Sequence, residues 1–354
     1  MIRKMNNIEL TDREKSILRH VIRQFIVTAN PVGSRNISKR YNIGLSPASI
    51  RNIMADLEDL GLLGHPHTSA GRVPTDRGYR FYVDSLMEPA KLNKKELDYI
   101  TANLEPDTYE TENLLKITSA ILSTITNQLA CITYPKFDNA LLNKIQLVRL
   151  SSQRIMVVLT IQSGLVKTIT LEINAEIEDD KLMGVEQLLN ERLAGLNFQE
   201  IRKTFSERIK DGFNTEYKPV MRVFIDSMDK IFDDIKINEK TVISGAKNII
   251  KHPEFGDHEH FQSVIELIED KDVIVHIMEK NKDISSKDVS IIIGGESEDE
   301  KFSDYSLITK EYNIGDINGK LGVIGPKRME YGKIIAAVVY IAELLTIELK
   351  NQKL

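Results

Sequence analysis

The chain has 354 residues, 42% hydrophobic and 28% charged, with a net charge of −5; this length fits two or three domains, and the hydrophobic share supports real cores. A single cysteine, Cys131, excludes an intrachain disulfide framework and a Cys-rich zinc site, and suits a reducing cytosol. Met1-Ile-Arg-Lys4 leads into no signal-like hydrophobic run, and no stretch of about 18 uninterrupted apolar residues occurs, so the expected location is cytoplasmic with no membrane contact.

Thr11-Asp-Arg-Glu14 has the S/T-x-x-E form of a capping box and opens a helix with Ile17, Leu18, Val21, Ile22 and Phe25 at helical spacing. Asn30-Pro31 ends it. Ser34 is expected to cap a second, short helix that turns Ile37 and Tyr41 inward, and Asn42-Ile43-Gly44-Leu45 supplies the short Gly-containing turn of a helix-turn-helix. Ser46 and Pro47 then open a third helix as N-cap and first helical residue. On it Ile50, Ile53, Met54, Leu57 and Leu60 form one apolar stripe, Ala48, Asn52 and Ala55 point away, and Ser49 and Arg51 lie on the flanks. Taken alone, this pattern also describes an ordinary amphipathic helix with a solvated polar face.

The residues after this helix favour the first of these readings. Two strand-compatible pieces, Leu62-Leu63-Gly64-His65 and Arg72-Val73-Pro74-Thr75, flank His67-Thr68-Ser69-Ala70-Gly71, with Gly71 expected to supply the positive φ of a tight tip. A hairpin tip rich in donors and nearly devoid of apolar surface suits a polar partner. Directly after a candidate recognition helix, it reads as the wing of a winged-helix DNA-binding domain over residues 1–88. Asparagine pairs with adenine, arginine with guanine, and serine with a base or a phosphate. The N-terminal half of the third helix is therefore expected in a major groove. The base-reading candidates are Ser46, Ala48, Ser49, Arg51 and Asn52; the wing candidates are His65, His67, Thr68, Ser69 and Arg72. Ser34, Lys39, Arg77 and Arg80 are the phosphate candidates, the last two with the alternative of bracing the wing against the helix after it. Charge is divided accordingly: residues 1–88 carry 13 Lys and Arg against 9 Asp and Glu, a net of +4, leaving −9 for the rest. A modestly positive domain gains affinity by dimerising across two half-sites.

The segment LSPASIRNIMADLEDLGLLGHPHTSAGRVPTDRGYRFYVD, residues 45–84, closely resembles the N-terminal region of the bacterial heat-inducible transcription repressor family HrcA, and Pro66 through Asp84 carries its signature string PHTSAGRVPTDxGYRxYVD. The resemblance implies a homodimeric repressor of chaperone operons that binds an inverted-repeat operator on double-stranded DNA and is derepressed by heat stress. It also implies that the GroEL chaperonin, drawn away by unfolded protein, maintains activity. For the fold it implies a GAF-like domain interrupted by an inserted dimerising domain.

Residues 89–106 read as a linker or connecting helix. A long helix is expected from Asp107 or Thr108 to about Ala130, with Leu114, Ile121, Leu122, Ile125 and Leu129 inward. The segments 145–150, 154–161 and 165–173 have a β pattern with hairpin-length turns. Charged helical segments occupy 181–195, 198–210 and 217–236. Strand-like segments return at 289–293, 305–313 and 320–325, and an apolar helix closes the chain. The pattern predicts an α+β multidomain protein in which one sheet domain is built from 107–178 and 251–354 around a mainly helical insertion at 179–250. Val242–Gly245 fits either part.

Other signals carry less. His20, His65 and His67 lack acidic or thiolate companions, and His252, His258 and His260 with Glu254, Asp257 and Glu259 read as a solvated loop and helix cap, so no metal is expected. Neither Gly294-Gly295-Glu296 nor Gly319–Gly325 matches a phosphate loop, and no GxSxG is present; no cofactor and no enzymatic activity are expected. A ligand-gated regulator using the GAF-like domain is the alternative function, and a winged helix serving only as a protein-binding module disagrees with the positive charge.

Overall fold

The computed structural model describes residues 8–66, 71–104, 111–173, 178–210, 217–232, 241–256, 258–280, 289–315 and 317–351. Helix α1 (Asp12–Thr28) begins at the Thr11–Glu14 capping box and buries Ile17, Leu18, Val21, Ile22 and Ile26. Its end is set by Ala29 at φ 54°, just before Pro31. Helix α2 (Ser34–Arg40) buries Ile37; its N-cap is Gly33, with no side-chain cap, so Ser34 is the first helical residue rather than the cap. Ser46 caps α3 (Pro47–Asp59) by accepting from the Ser49 N–H. The apolar stripe of α3 is narrower than expected: Ile50, Met54 and Leu57 are buried, Ile53 is half-buried, and Leu60 at the helix end is 38% exposed.

Strands β1 (Leu63–Gly64) and β2 (Val73–Pro74) pair antiparallel, Leu63 opposite Pro74. A further bridge joins Arg72 to Val32, each N–H donating to the other's carbonyl at 2.8 and 2.9 Å. This bridge corrects the reason for Gly71. It is absent from the residues with positive φ, and a Cβ there would lie 2.5 Å from the Val32 carbonyl atoms. Close backbone approach, not a left-handed turn, demands glycine. Thr75 caps α4 (Asp76–Phe81), which runs on through a π-helical turn to Leu86. These elements, the head, share one core through Tyr79, Phe81, Tyr82 and Leu86.

Helix α5 (Lys94–Asn103) leads into the body. Helix α6 (Thr111–Thr126) stops at Asn127, φ 54°, and Leu129–Thr133 is a strand, β3. The expected continuation of that helix to Ala130 is therefore wrong. Next come β4 (Leu142–Ser151), β5 (Arg154–Ile161), β6 (Val166–Glu172), α7 (Asp179–Leu193), α8 (Phe198–Ile209), α9 (Lys218–Asp226) and α10 (Met228–Phe232). The chain continues with β7 (Thr241–Ser244), α11 (Ala246–Ile249), α12 (His258–Glu269), α13 (Lys271–Lys280), β8 (Ser290–Ile293), β9 (Tyr305–Ile314), β10 (Ile317–Pro326) and α14 (Tyr331–Asn351).

The strands form two sheets in the body, not one. The larger has the order β7-β3-β10-β9-β8 and every pairing is antiparallel; the smaller is β4-β5-β6. The chain leaves the large sheet after β3 and re-enters at its neighbour β7, Ala130 opposite Ser244. Segments 145–173 thus belong with α7–α10 and not with the strands after 289, which corrects the single sheet expected around 179–250. Val242, Ile243 and Ser244 fall in β7 of the large sheet, and Gly245 is the N-cap of α11. Both faces of that sheet are covered. Leu129 and Cys131 pack with Val264, Leu267, Ile274 and Ile277 of α12 and α13, while Ala130 and Ile132 join the core that includes Leu122, Val338, Ile341 and Leu345 of α6 and α14. In the small sheet, β4 is bordered by α7: Asn190 both accepts from and donates to the Ile145 backbone, and Glu186 accepts from Leu147 N–H. Side chains thereby satisfy an edge that would otherwise invite another strand. No helix among the described residues is long and apolar enough to cross a membrane.

Candidate nucleic-acid interface

The first turns of α3 present Ser46, Ala48, Ser49, Arg51 and Asn52, all exposed. Capping orients the first two hydroxyls: Ser46 Oγ accepts from Ser49 N–H at 3.1 Å and shares a hydrogen bond with Ser49 Oγ at 3.0 Å. Arg51 and Asn52 have no side-chain partner among the described residues, so their donors are free for another molecule. Lys39 and Arg77 are likewise exposed and without an ion pair among the described residues, whereas Ser34 is half-buried. Arg35, four residues before Lys39 on α2, is a further exposed cation. That i, i+4 spacing was the signal by which the sequence could have disclosed it.

The hairpin base is built differently. Arg72 Nη2 meets Glu58 Oε2 of α3 at 2.7 Å, His65 Nε2 meets Glu58 Oε1 at 2.9 Å, and Arg72 Nη1 lies 2.8 Å from His65 Nδ1. A guanidinium can only donate, so Nδ1 accepts and the ring proton sits on Nε2, where it is donated to Glu58. His65 and Arg72, expected at the DNA, are therefore engaged with one another and with α3. The sequence singles out no role for Glu58, because its partners His65 and Arg72 are brought to it only by the fold. His67, Thr68 and Ser69 lie outside the described residues.

Arg80 is also elsewhere than expected. It donates from Nε to Glu296 Oε1 at 2.8 Å, from Nη2 to Glu296 Oε2 at 2.5 Å and to the Ile291 carbonyl at 2.7 Å, with Asp84 at 3.3 Å. Burial opposes its charge, but the Glu296 hydrogen bonds and the neighbouring carboxylates more than offset that and hold its pKa above the ordinary range. One turn earlier, Asp76 accepts from Gly295 N–H at 3.1 Å and pairs with Lys327 at 2.9 Å. Arg328 donates to the Ile26 carbonyl at 2.5 Å and pairs with Glu254. The head is thus fastened to the body through α4 and the end of α1. Arg80 is a fastening residue, not an available phosphate contact.

Comparison with known proteins gives the family. The family model described as "HrcA protein C terminal domain" matches residues 112–335. A heat-inducible transcription repressor HrcA of Chlorobium phaeobacteroides (strain BS1) is 40% identical over 346 residues, covering 96% of this chain and 98% of that protein. The one from Chlorobaculum tepidum is 40% identical over 356 residues, with 97% and 98% covered. The chain belongs to the HrcA family. A solved structure described as a hypothetical protein at 2.2 Å resolution superposes with a TM-score of 0.57 at 22% identity, covering 97% of this chain and 100% of its own, so the fold is shared along nearly the whole length.

An HrcA-family chain is a transcription repressor and not an enzyme. Within that frame, the string from Pro66 to Asp84 divides into jobs. Arg72 bridges to Val32, Gly71 lets the two backbones approach, and Thr75 Oγ1 donates to the Gly61 carbonyl while accepting from Gly78 N–H. Tyr79 is buried 6.0 Å from the Tyr331 ring, and burial raises its hydroxyl pKa well above the usual value. Among the described residues, no three His, Cys, Asp or Glu side chains converge as a metal set. His20 sits on Tyr41 with Nδ1 at 2.6 Å from the Ser16 carbonyl oxygen, and Glu254 is held by Arg328.

Proposed function

We propose that this chain is a sequence-specific DNA-binding repressor whose head is a winged helix-turn-helix and which acts as a homodimer on an inverted repeat. The observation that carries the reading is the free polar face on the N-terminal half of α3. Ser49, Arg51 and Asn52 stand exposed there, beside Arg35 and Lys39, which have no ion pair among the described residues, in the basic part of an acidic protein. Asn52 and Arg51 then read base edges, with Ala48 allowing close approach of the backbone. Lys39, Arg35 and Arg77 serve phosphates, which position the head without reading sequence. His67, Thr68 and Ser69 are assigned to an adjacent groove or the DNA backbone.

Dimerisation is assigned to the body. The outer face of the β4-β5-β6 sheet exposes Val148 (43%) and Val166 (56%), along with Leu150, which a second copy would cover. The large sheet with its flanking helices corresponds to the GAF-like domain, interrupted by the small sheet and α7–α10. Occupancy of a chaperone promoter blocks transcription, and dependence of the DNA-competent state on GroEL would supply heat feedback by mass action. The test is binding to a chaperone-promoter fragment carrying the inverted repeat, against scrambled DNA, across a salt series with and without chaperonin. The expected result is repeat-dependent binding of two protomers that weakens steeply with salt. Sequence-blind binding with chaperonin present sinks the reading.

A further inference from the structure

We propose that Glu58 is a positioning residue for DNA recognition, fixing the base of the hairpin against the flank of α3 that carries Arg51, so that helix and wing meet DNA in one geometry. The inference rests on the DNA-binding reading above. Arg51, Ala55 and Glu58 are spaced by four and three residues and so line one side of α3. Glu58 uses both oxygens there, one on Arg72 and one on His65, while Arg72 and His65 close the third side of the triangle. Three hydrogen bonds in a ring leave little rotational freedom between elements that the chain joins only through a loop. Arg72 is also the residue whose main chain bridges to Val32, so the same residue ties α3, the hairpin and the strand-like residue before α2 together.

The exposures say why this is a built contact. The Arg72 side chain is 17% exposed and that of Glu58 26%, so the pair is shielded more than an ordinary surface ion pair. Electrostatics alone offers no use for Glu58: a carboxylate on a helix that approaches phosphates weakens binding. The two accounts therefore disagree in sign. If Glu58 is only a charge near DNA, its neutralisation tightens binding; if it positions the wing, neutralisation loosens it despite the favourable change in net charge.

The experiment compares full-length wild type, Glu58→Gln, His65→Gln and the exchange Glu58→Arg with Arg72→Glu, under conditions in which the wild type binds the repeat. Glu58→Gln is expected to lower operator affinity roughly tenfold, the scale of a charge-assisted hydrogen bond, with little change on scrambled DNA. Faster hydrogen exchange at the Val32 and Arg72 amides should accompany it, and the exchange pair should recover most of the affinity. His65→Gln leaves the ion pair in place and should show the same direction with a smaller loss, which keeps the test available if Glu58→Gln unfolds. Operator binding by Glu58→Gln at or above the wild-type level overturns the proposal, as does an equal loss on operator and scrambled DNA. Failure of the wild type to prefer the repeat overturns the DNA reading and this role with it; a preference that Glu58→Gln retains overturns this role alone.

Discussion

Arg51 and Arg72 lie in the same head but differ in what surrounds the guanidinium. Arg51 is exposed and unpartnered among the described residues, whereas Arg72 is engaged by Glu58 and His65. Replacing Arg51 by alanine is expected to cost about 1–3 kcal/mol of operator binding and to relax preference at one base pair. Binding measured on a panel of single-base operator variants checks this, and a uniform loss on all of them would move Arg51 to the phosphate class. His252 offers a prediction in pH. Its half-buried ring sits beside the Asn127 carbonyl, and burial pushes its pKa below the ordinary 6.5. A depressed folded-state pKa means that the unfolded chain takes the proton first. The stability contribution is complete above 6.5 and is lost as pH falls from there towards the folded value. His252→Gln should therefore flatten the decline in unfolding free energy between about pH 7.5 and 5.5. Denaturant titrations at both ends of that window, on variant and wild type, would show equal slopes if the histidine plays no part.

At the scale of elements, α4 is seated closely on the backbone of the hairpin. A Cβ at Gly78 would lie 2.0 Å from the Leu62 carbonyl oxygen, a backbone atom already accepting from Thr75 N–H. Gly78→Ala must therefore push α4 off the hairpin, and is expected to destabilise the protein by at least about 2 kcal/mol. Chemical denaturation measures it; a loss below half of that would mean that the helix slides without cost. The sequence discloses Gly78 as a residue but not this reason for it, just as Gly71 reads as a turn glycine when it is a close-approach glycine. Helices α1 and α3 were legible because their caps and stripes are local: Thr11 with Glu14, and Ser46 with Pro47. Strand β3 was not. Leu129 continues the spacing of Leu122 and Ile125, so it reads as one more helical turn. All five residues of the strand are buried, leaving no alternation to betray it. Without β3, the strands 145–173 had no competitor for the large sheet.

The whole molecule turns on contacts that no local pattern could disclose. Arg80 and its partner Glu296 are 216 residues apart, and the glycines preceding Glu296 read only as a turn between strands. In the fold that turn receives both charged ends of α4: Arg80 meets Glu296, while Asp76 meets Gly295 N–H and Lys327. The pairs cross the boundary in both directions, a head cation with a body anion and a head anion with a body cation, which fixes orientation better than a single attraction would. Arg80→Ala should strip Glu296 of its main partner and cost about 1–3 kcal/mol, the contact being only partly shielded. Calorimetry is expected to resolve separate head and body transitions in this variant where the wild type unfolds its docked parts together. The same variant separates fastening from phosphate binding. The salt dependence of operator binding should keep its slope in Arg80→Ala and fall by about one in Arg77→Ala, because only a cation that neutralises a phosphate releases a counterion. A reduced slope for Arg80→Ala would mean that the fastening opens on DNA and that Arg80 changes partner from Glu296 to phosphate.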